Sequence, residues 1–263
     1  MNPKLMGVVN VTPDSFSDGG LFLDADAAIA HGRKLVEQGA DILDVGGEST
    51  RPGAEEVSEG EELRRVVPVV RGLAGATTVS IDTSKLAVAE AALDAGASIV
   101  NDVTALRRDP QIGALCAERG VGLVLMHMQG EPRTMQDDPR YEDVVAEVGA
   151  FLAERVEVAV GAGVAEERIW LDPGIGFGKG LEHNLELLRR LGELRELGRP
   201  LVVGTSRKSF IGRIDGSPVD ARLGGTIASS IYAAAEGADV LRVHDVAEAA
   251  QALKVADAIL TTP

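Results

Sequence analysis

The chain has 263 residues, a formal net charge of −15 and one cysteine. A chain this long can bury roughly three quarters of its extended surface, and its acidity excludes a general nucleic-acid binder, whose phosphate contacts need a basic face. Cys116 alone excludes an intrachain disulfide framework and a cysteine metal cluster. It lies in a helical pattern, where a free cysteine is most often simply buried. No apolar run is long enough to span a bilayer, and Met1-Asn2-Pro3-Lys4 does not open a signal peptide, so the expectation is a cytoplasmic protein without membrane contact.

In chain order, apolar runs of strand length fall at residues 5–10, 42–45, 78–81, 99–101, 122–127, 169–171, 201–204 and 240–243, with helical patterns between them. One junction recurs. Glu37-Gln38-Gly39-Ala40-Asp41 precedes the second run, Asp94-Ala95-Gly96-Ala97 the fourth and Glu236-Gly237-Ala238-Asp239 the eighth. Glycine is the usual stop just past a helix, and short apolar strands between helices imply parallel βαβ units. Eight such units in about 250 residues predict a single-domain (β/α)8 TIM barrel over residues 1–263, with a doubly wound sheet as the alternative. The loops after strands 1 and 2, residues 11–24 and 46–58, are long and rich in Gly, Pro and Ser, more than a connection requires.

The sixth strand ends in Asp172-Pro173-Gly174-Ile175-Gly176-Phe177-Gly178-Lys179. Glycines there permit positive φ and close backbone approach to a ligand. A phosphate-binding P-loop does not fit, because Pro173 occupies the first glycine position and Gly180 replaces the required Ser or Thr. In a (β/α)8 barrel the functional groups collect at the C-terminal strand ends. Those ends carry Asn10, Glu48 with Thr50 and Arg51, Asp82, Asn101, Met126-His127, Asp172, Ser206-Arg207-Lys208 and Arg242-Val243-His244. Any one strand-end Asp could simply cap the next helix, but carboxylates and an amide in one pocket suit the donor-and-acceptor edge of a nitrogen heterocycle. Arg51, Arg207, Lys208, Arg242 and His244 form a positive set, with Arg and Lys suited to phosphate oxygens. His127 is left open between packing and function.

These segments resemble one family in order. Asn10-Val11-Thr12-Pro13-Asp14-Ser15-Phe16-Ser17-Asp18-Gly19-Gly20 is similar to the first signature of the dihydropteroate synthases, and Gly47-Glu48-Ser49-Thr50-Arg51-Pro52-Gly53 to the second. Ser80-Ile81-Asp82-Thr83, Asn101-Asp102-Val103, residues 172–179, Ser206-Arg207-Lys208-Ser209-Phe210 and Arg242-Val243-His244-Asp245 follow in sequence. Glu131, after the fifth strand, is less typical of the family.

The resemblance implies the reaction of 6-hydroxymethyl-7,8-dihydropterin pyrophosphate with p-aminobenzoate. It implies a pterin site of Asp82, Asn101, Val103, Met126, Asp172, Gly204, Lys208 and Arg242. Asn10, Arg51, Arg242 and His244 would serve the pyrophosphate, with Mg²⁺ near Asn10. Thr50, Pro52, Phe177, Lys208 and Ser209 would line the p-aminobenzoate site, and Asp18 would order a lid. Asp82, Asp172, Lys208, Arg51 and His244 would carry the catalysis. A homodimer is implied too. The alternatives are a pterin-binding module that presents a methylated folate to a corrinoid partner, and a catalytically silent homologue.

Overall fold

The computed structural model describes residues 2–11, 21–49, 56–130 and 134–261, with residues 21–24 described by backbone only. Among the described residues, eight parallel strands alternate with helices: β1 (Lys4–Asn10), β2 (Ile42–Gly46), β3 (Thr78–Asp82), β4 (Ile99–Asp102), β5 (Gly122–Met126), β6 (Ile169–Asp172), β7 (Val202–Val203) and β8 (Val240–Val243). The helices, again in chain order, are α1 (Leu21–Glu37), α2 (Glu59–Leu73), α3 (Leu86–Asp94), α4 (Gln111–Arg119), α5 (Val144–Gly161), α6 (Leu181–Arg189), α7 (Ser209–Asp215), α8 (Leu223–Ala235) and α9 (Val246–Thr261). None is long and apolar enough to cross a membrane. Cys116 is buried in α4, where burial pushes its thiol up to about 12.

The strands run in the order β6-β5-β4-β3-β2-β1-β8-β7, and a bridge between Leu171 and Leu201 joins the two ends into a barrel. A doubly wound sheet has no such closure. The predicted seventh strand, residues 201–204, shrinks to Val202–Val203. It sits at the seam: Val202 and Val203 pair with β8, while the segment before them meets β6 through the Leu171 amide on the Pro200 carbonyl (2.9 Å). Neither neighbour supports a longer ladder.

The Gly-Ala junctions close their helices as the sequence implies. Gly39, Gly96 and Gly237 have φ of 107°, 114° and 101°. The following Ala40, Ala97 and Ala238 amides reach back to the carbonyls of Leu35, Ala92 and Ala233 (2.9, 3.0 and 2.9 Å). That is a bond from C″ to C3, which satisfies a carbonyl the helix leaves open. The Asp that comes next then ties down a neighbouring strand: Asp41 accepts from the Leu5 amide (2.8 Å) and Asp239 from Leu201 (2.9 Å).

Alternation along the strands separates two cores. Leu43, Val45, Val79, Ile81, Leu123, Leu125, Leu171 and Leu241 pack outward in one large cluster with the helices. Met6, Ile42, Ile99, Val124, Val202 and Val240, with Trp170 against them, form a second cluster made of strand residues alone, the interior floor of the barrel. One step further along the same face of each strand stand the groups that matter next.

Candidate active site

Two residues beyond Ile42, Ser80, Ile99, Val124, Trp170, Val202 and Val240 come Asp44, Asp82, Asn101, Met126, Asp172, Gly204 and Arg242. Side chains alternate with period two, so this layer points inward directly above the apolar floor. The sequence-derived pterin residues Asp82, Asn101, Met126, Asp172, Gly204 and Arg242 therefore converge. Asn101 and Asp172 are buried, and Asp44, on which the sequence analysis placed no role, is wholly so.

Arg242 organises this layer. Its Nε donates to Asp44 Oδ2 (2.6 Å) and its Nη2 to Asp82 Oδ2 (2.8 Å). Asp44 Oδ2 also accepts from Asn101 Nδ2 (3.1 Å), so one carboxylate orients both the guanidinium and the amide. From the sequence Arg242 is expected to serve both the pterin and the pyrophosphate, and its guanidinium lies across the barrel mouth on the carboxylate side, against Asp44 and Asp82. Asp82 is no helix cap: burial, opposed by Arg242 and reinforced by Asp44, Glu62 and Asp102, pushes it up to about 8. Burial also raises Asp172, against Lys208, the Gly174 amide and Arg242. Asp172 Oδ1 accepts from that Gly174 amide (2.7 Å), which aims the carboxylate as the strand ends.

Lys208, the residue before α7, donates to the Ile175 carbonyl and stands 4.7 Å from the centre of the Phe177 ring. Burial pulls it down to about 8, with Asp172 opposing and Arg242 assisting. Phe177 packs against Val103, Met126, Met128 and Met135, the apolar wall of the site. Ser209 is exposed at the start of α7 and Asn10 is half-buried at the end of β1. His244 follows β8, its Nδ1 2.9 Å from the Ser206 hydroxyl, which also accepts from the His244 amide (3.2 Å).

Arg207 departs from the sequence expectation. It adopts φ 57°, its guanidinium turns to the surface and Asp245 takes both its Nε (3.0 Å) and Nη2 (2.5 Å). Glu48 is also not a pocket group. It accepts from Lys85 Nζ (2.5 Å), which binds the Val57 carbonyl (2.7 Å) and Glu62 as well, so this cluster pins the base of the second loop. Asp18, Thr50, Arg51, Pro52 and Glu131 lie outside the described residues.

His127 is buried and its Nδ1 lies 2.8 Å from Lys179 Nζ. Burial, then Lys179 and Arg107, drive its pKa far down, and the ring packs beside Tyr141 and edge-on to Phe151, a packed and neutral imidazole. Gly174 and Gly178 hold φ of 66° and 61° because the loop passes so near the fifth strand end that a Cβ would strike the His127 or Gln129 carbonyl.

A signal for Asp44 does exist in the sequence: a lone carboxylate inside the run Ile42-Leu43-Asp44-Val45, on the same face as the strand-end groups. Nothing comparable points to Lys179, whose partners all come from folded loops.

A sequence model of the family described as "Pterin binding enzyme" matches residues 6–244. The dihydropteroate synthase of Escherichia coli (strain K12) is 48% identical over 262 residues, covering 99% of this chain and 93% of that protein. The structure of Xanthomonas albilineans dihydropteroate synthase with 4-aminobenzoic acid superposes with a TM-score of 0.93 at 50% identity, covering 99% of this chain and 94% of that one. The same organism's enzyme in complex with 7,8-dihydropteroate gives a TM-score of 0.89 at 46% identity, covering 99% and 95%. A family match over nearly the whole barrel, joined to relatives this similar along their full length, means that the chain belongs to the pterin binding enzyme family.

Proposed function

We propose that the chain is a dihydropteroate synthase, joining 6-hydroxymethyl-7,8-dihydropterin pyrophosphate to p-aminobenzoate with release of pyrophosphate. The observation that carries this reading is the inward layer of Asp82, Asn101, Asp172 and Arg242 above an apolar floor, with Lys208 and Phe177 at its edge. Asp172, Asn101, Asp82 and Lys208 grip the ring's donor-and-acceptor edge, Val103, Met126 and Gly204 shape its slot, and Arg242 lies against its face. Arg51, His244, Asn10 and the unengaged part of Arg242 serve the pyrophosphate. Thr50, Pro52, Phe177, Lys208 and Ser209 receive p-aminobenzoate, and Asp18 orders the first loop.

The chemistry needs no protein nucleophile. The carbon–oxygen bond to pyrophosphate breaks first, the dihydropterin ring delocalises the positive charge left on the methylene, and the arylamine nitrogen then attacks and sheds a proton. The carboxyl oxygens of Asp82 and Asp172, fixed beside the ring, favour that charge without reorganising, an effect that is often the largest in catalysis. The arylamine is neutral at pH 7, so no strong base is required.

Mg²⁺ would have the Asn10 amide oxygen as its protein donor. Among the described residues no group of three or more His, Cys, Asp or Glu could cage a metal, and Mg²⁺ suits one or two protein oxygens completed by substrate phosphates and water. Bound there through the Asn10 amide oxygen, the ion would neutralise charge on the leaving pyrophosphate. We place the protein in the cytoplasm as a homodimer; exposed Ile214, Val219, Leu223 and Tyr232 around α7 and α8 are the apolar surface for a second copy.

The reading is tested by following pyrophosphate release from the pterin substrate with and without p-aminobenzoate and Mg²⁺. Release that depends on Mg²⁺, with 7,8-dihydropteroate formed when p-aminobenzoate is present, supports it; no release in any combination rejects it.

Lys208 makes the rate pH-dependent. Its ammonium is the working form and is lost as pH rises through about 8, so kcat/KM for the pterin substrate should fall above that value. Lys208→Arg keeps its proton throughout and should hold its lower rate level to higher pH. Profiles of both proteins decide this; a parent flat to pH 9.5, about 1.5 units past the value above, would remove Lys208 from the step.

A further inference from the structure

The loop of residues 174–178 carries Phe177, and side chains from elsewhere hold every one of its carbonyls. Lys179 Nζ donates to Gly174 O (3.0 Å) and Phe177 O (2.9 Å), Lys208 Nζ to Ile175 O, Gln136 Nε2 to Gly176 O (2.6 Å) and the Tyr141 hydroxyl to Gly178 O (2.8 Å). The donors come from the loop's own end, from the segment between β5 and α5, and from the start of α7. Unlike Lys208, Lys179 is only 1% exposed, so its nitrogen has no reach into the site. Burying such a group is expensive unless it is hydrogen-bonded, and a merely space-filling position would suit an apolar residue. The frame has a clear mechanical result: it holds the Phe177 ring against the Met126, Met128 and Met135 wall with the Lys208 ammonium over the ring.

We propose that Lys179, Gln136 and Tyr141 are positioning residues for the second substrate, holding the carbonyl frame that presents Phe177 to the arylamine. This deepens the proposed condensation and rests on it. The pterin edge is gripped by strand-end groups of β3, β4 and β6; Gln136 and Tyr141 touch none of them, so their effect falls on p-aminobenzoate, whereas the Lys179 charge also acts on Asp172.

The test compares the parent with Gln136→Ala, Tyr141→Phe and Lys179→Met, measuring KM for p-aminobenzoate in turnover and the affinity for pterin pyrophosphate by titration. A parent that releases no pyrophosphate rejects the proposed function itself. Given turnover, each of Gln136→Ala and Tyr141→Phe should raise KM for p-aminobenzoate about three- to tenfold, as expected for one lost hydrogen bond. Lys179→Met should raise it more than about tenfold, since two carbonyls lose their donor. Affinity for pterin pyrophosphate should stay within about twofold in Gln136→Ala and Tyr141→Phe, under the value of a hydrogen bond. Unchanged KM in both Gln136→Ala and Tyr141→Phe overturns the proposal, and so does an equal loss of pterin affinity, which general loosening of the barrel mouth would give. If Lys179→Met does not fold, the other two variants decide by the same criteria.

Discussion

Arg242→Met should cost about 3–5 kcal/mol of folding stability, the range found when one partner of a buried ion pair is removed. The guanidinium is the hydrogen-bond donor to both Asp44 and Asp82, and Asp44 is fully buried with its second oxygen, Oδ1, already without a partner. Without Arg242, two carboxylates would face each other in the barrel mouth. Their remaining escape is to take up protons. Asp82 already stands at about 8 in the folded parent, above its ordinary value. A carboxyl raised by folding stabilises most fully in acid, and that contribution fades as pH climbs from the ordinary carboxylate range through the folded value. Removing Arg242 takes away the charge that holds Asp82 down and raises Asp82 further, so the loss should be smaller at about pH 5.5 than at about pH 8.5, on either side of the neutral range. Urea unfolding at the two pH values measures it. Adding Asp44→Asn should restore part of the stability by removing one of the two charges. An equal loss at both pH values, or no recovery in the double variant, contradicts this account of the site.

Asp172→Asn should separate binding from folding. The Gly174 amide is held by Asp172 Oδ1, and an amide oxygen can accept that bond, so the unfolding midpoint should move little. Pterin affinity should fall by about 2–3 kcal/mol, the value of a hydrogen bond to a charged group. That is roughly thirty- to 150-fold in Kd. Titration with a pterin lacking the pyrophosphate gives the number, and unchanged affinity removes Asp172 from the ring site. Asp82→Asn should behave differently. From the sequence the two aspartates look equivalent, each ending an apolar run, and both changes would be expected to spare the fold. In the structure Asp82 is half of the clamp on Arg242, so its replacement should lower stability as well as affinity.

The contrast between those aspartates marks the boundary between local and tertiary information. Each strand, each Gly-Ala helix stop and the eightfold alternation were legible because they depend on residues within one turn or one pleat. Asp82, Asn101, Asp172 and Arg242 stood out as strand ends; the inward parity they share with Asp44 is a consequence of the same short-range rule. Tertiary structure alone decided what those groups do to one another. Arg242 reaches residues 198 and 160 positions away, and that meeting exists only once the sheet closes at the Leu171–Leu201 bridge. Closure also shortens β7, because the seam divides its backbone between two neighbours. Arg207 turns outward because its backbone adopts φ 57° in the turn and Asp245 supplies a fork for its guanidinium. Lys179 sits two residues from Phe177 yet is buried, because its partners are carbonyls of a loop whose path is set by the fifth strand end. Chain-local periodicity fixes which face a side chain takes. Which distant charge it meets depends on the barrel's closure and register, and no short window of sequence contains them.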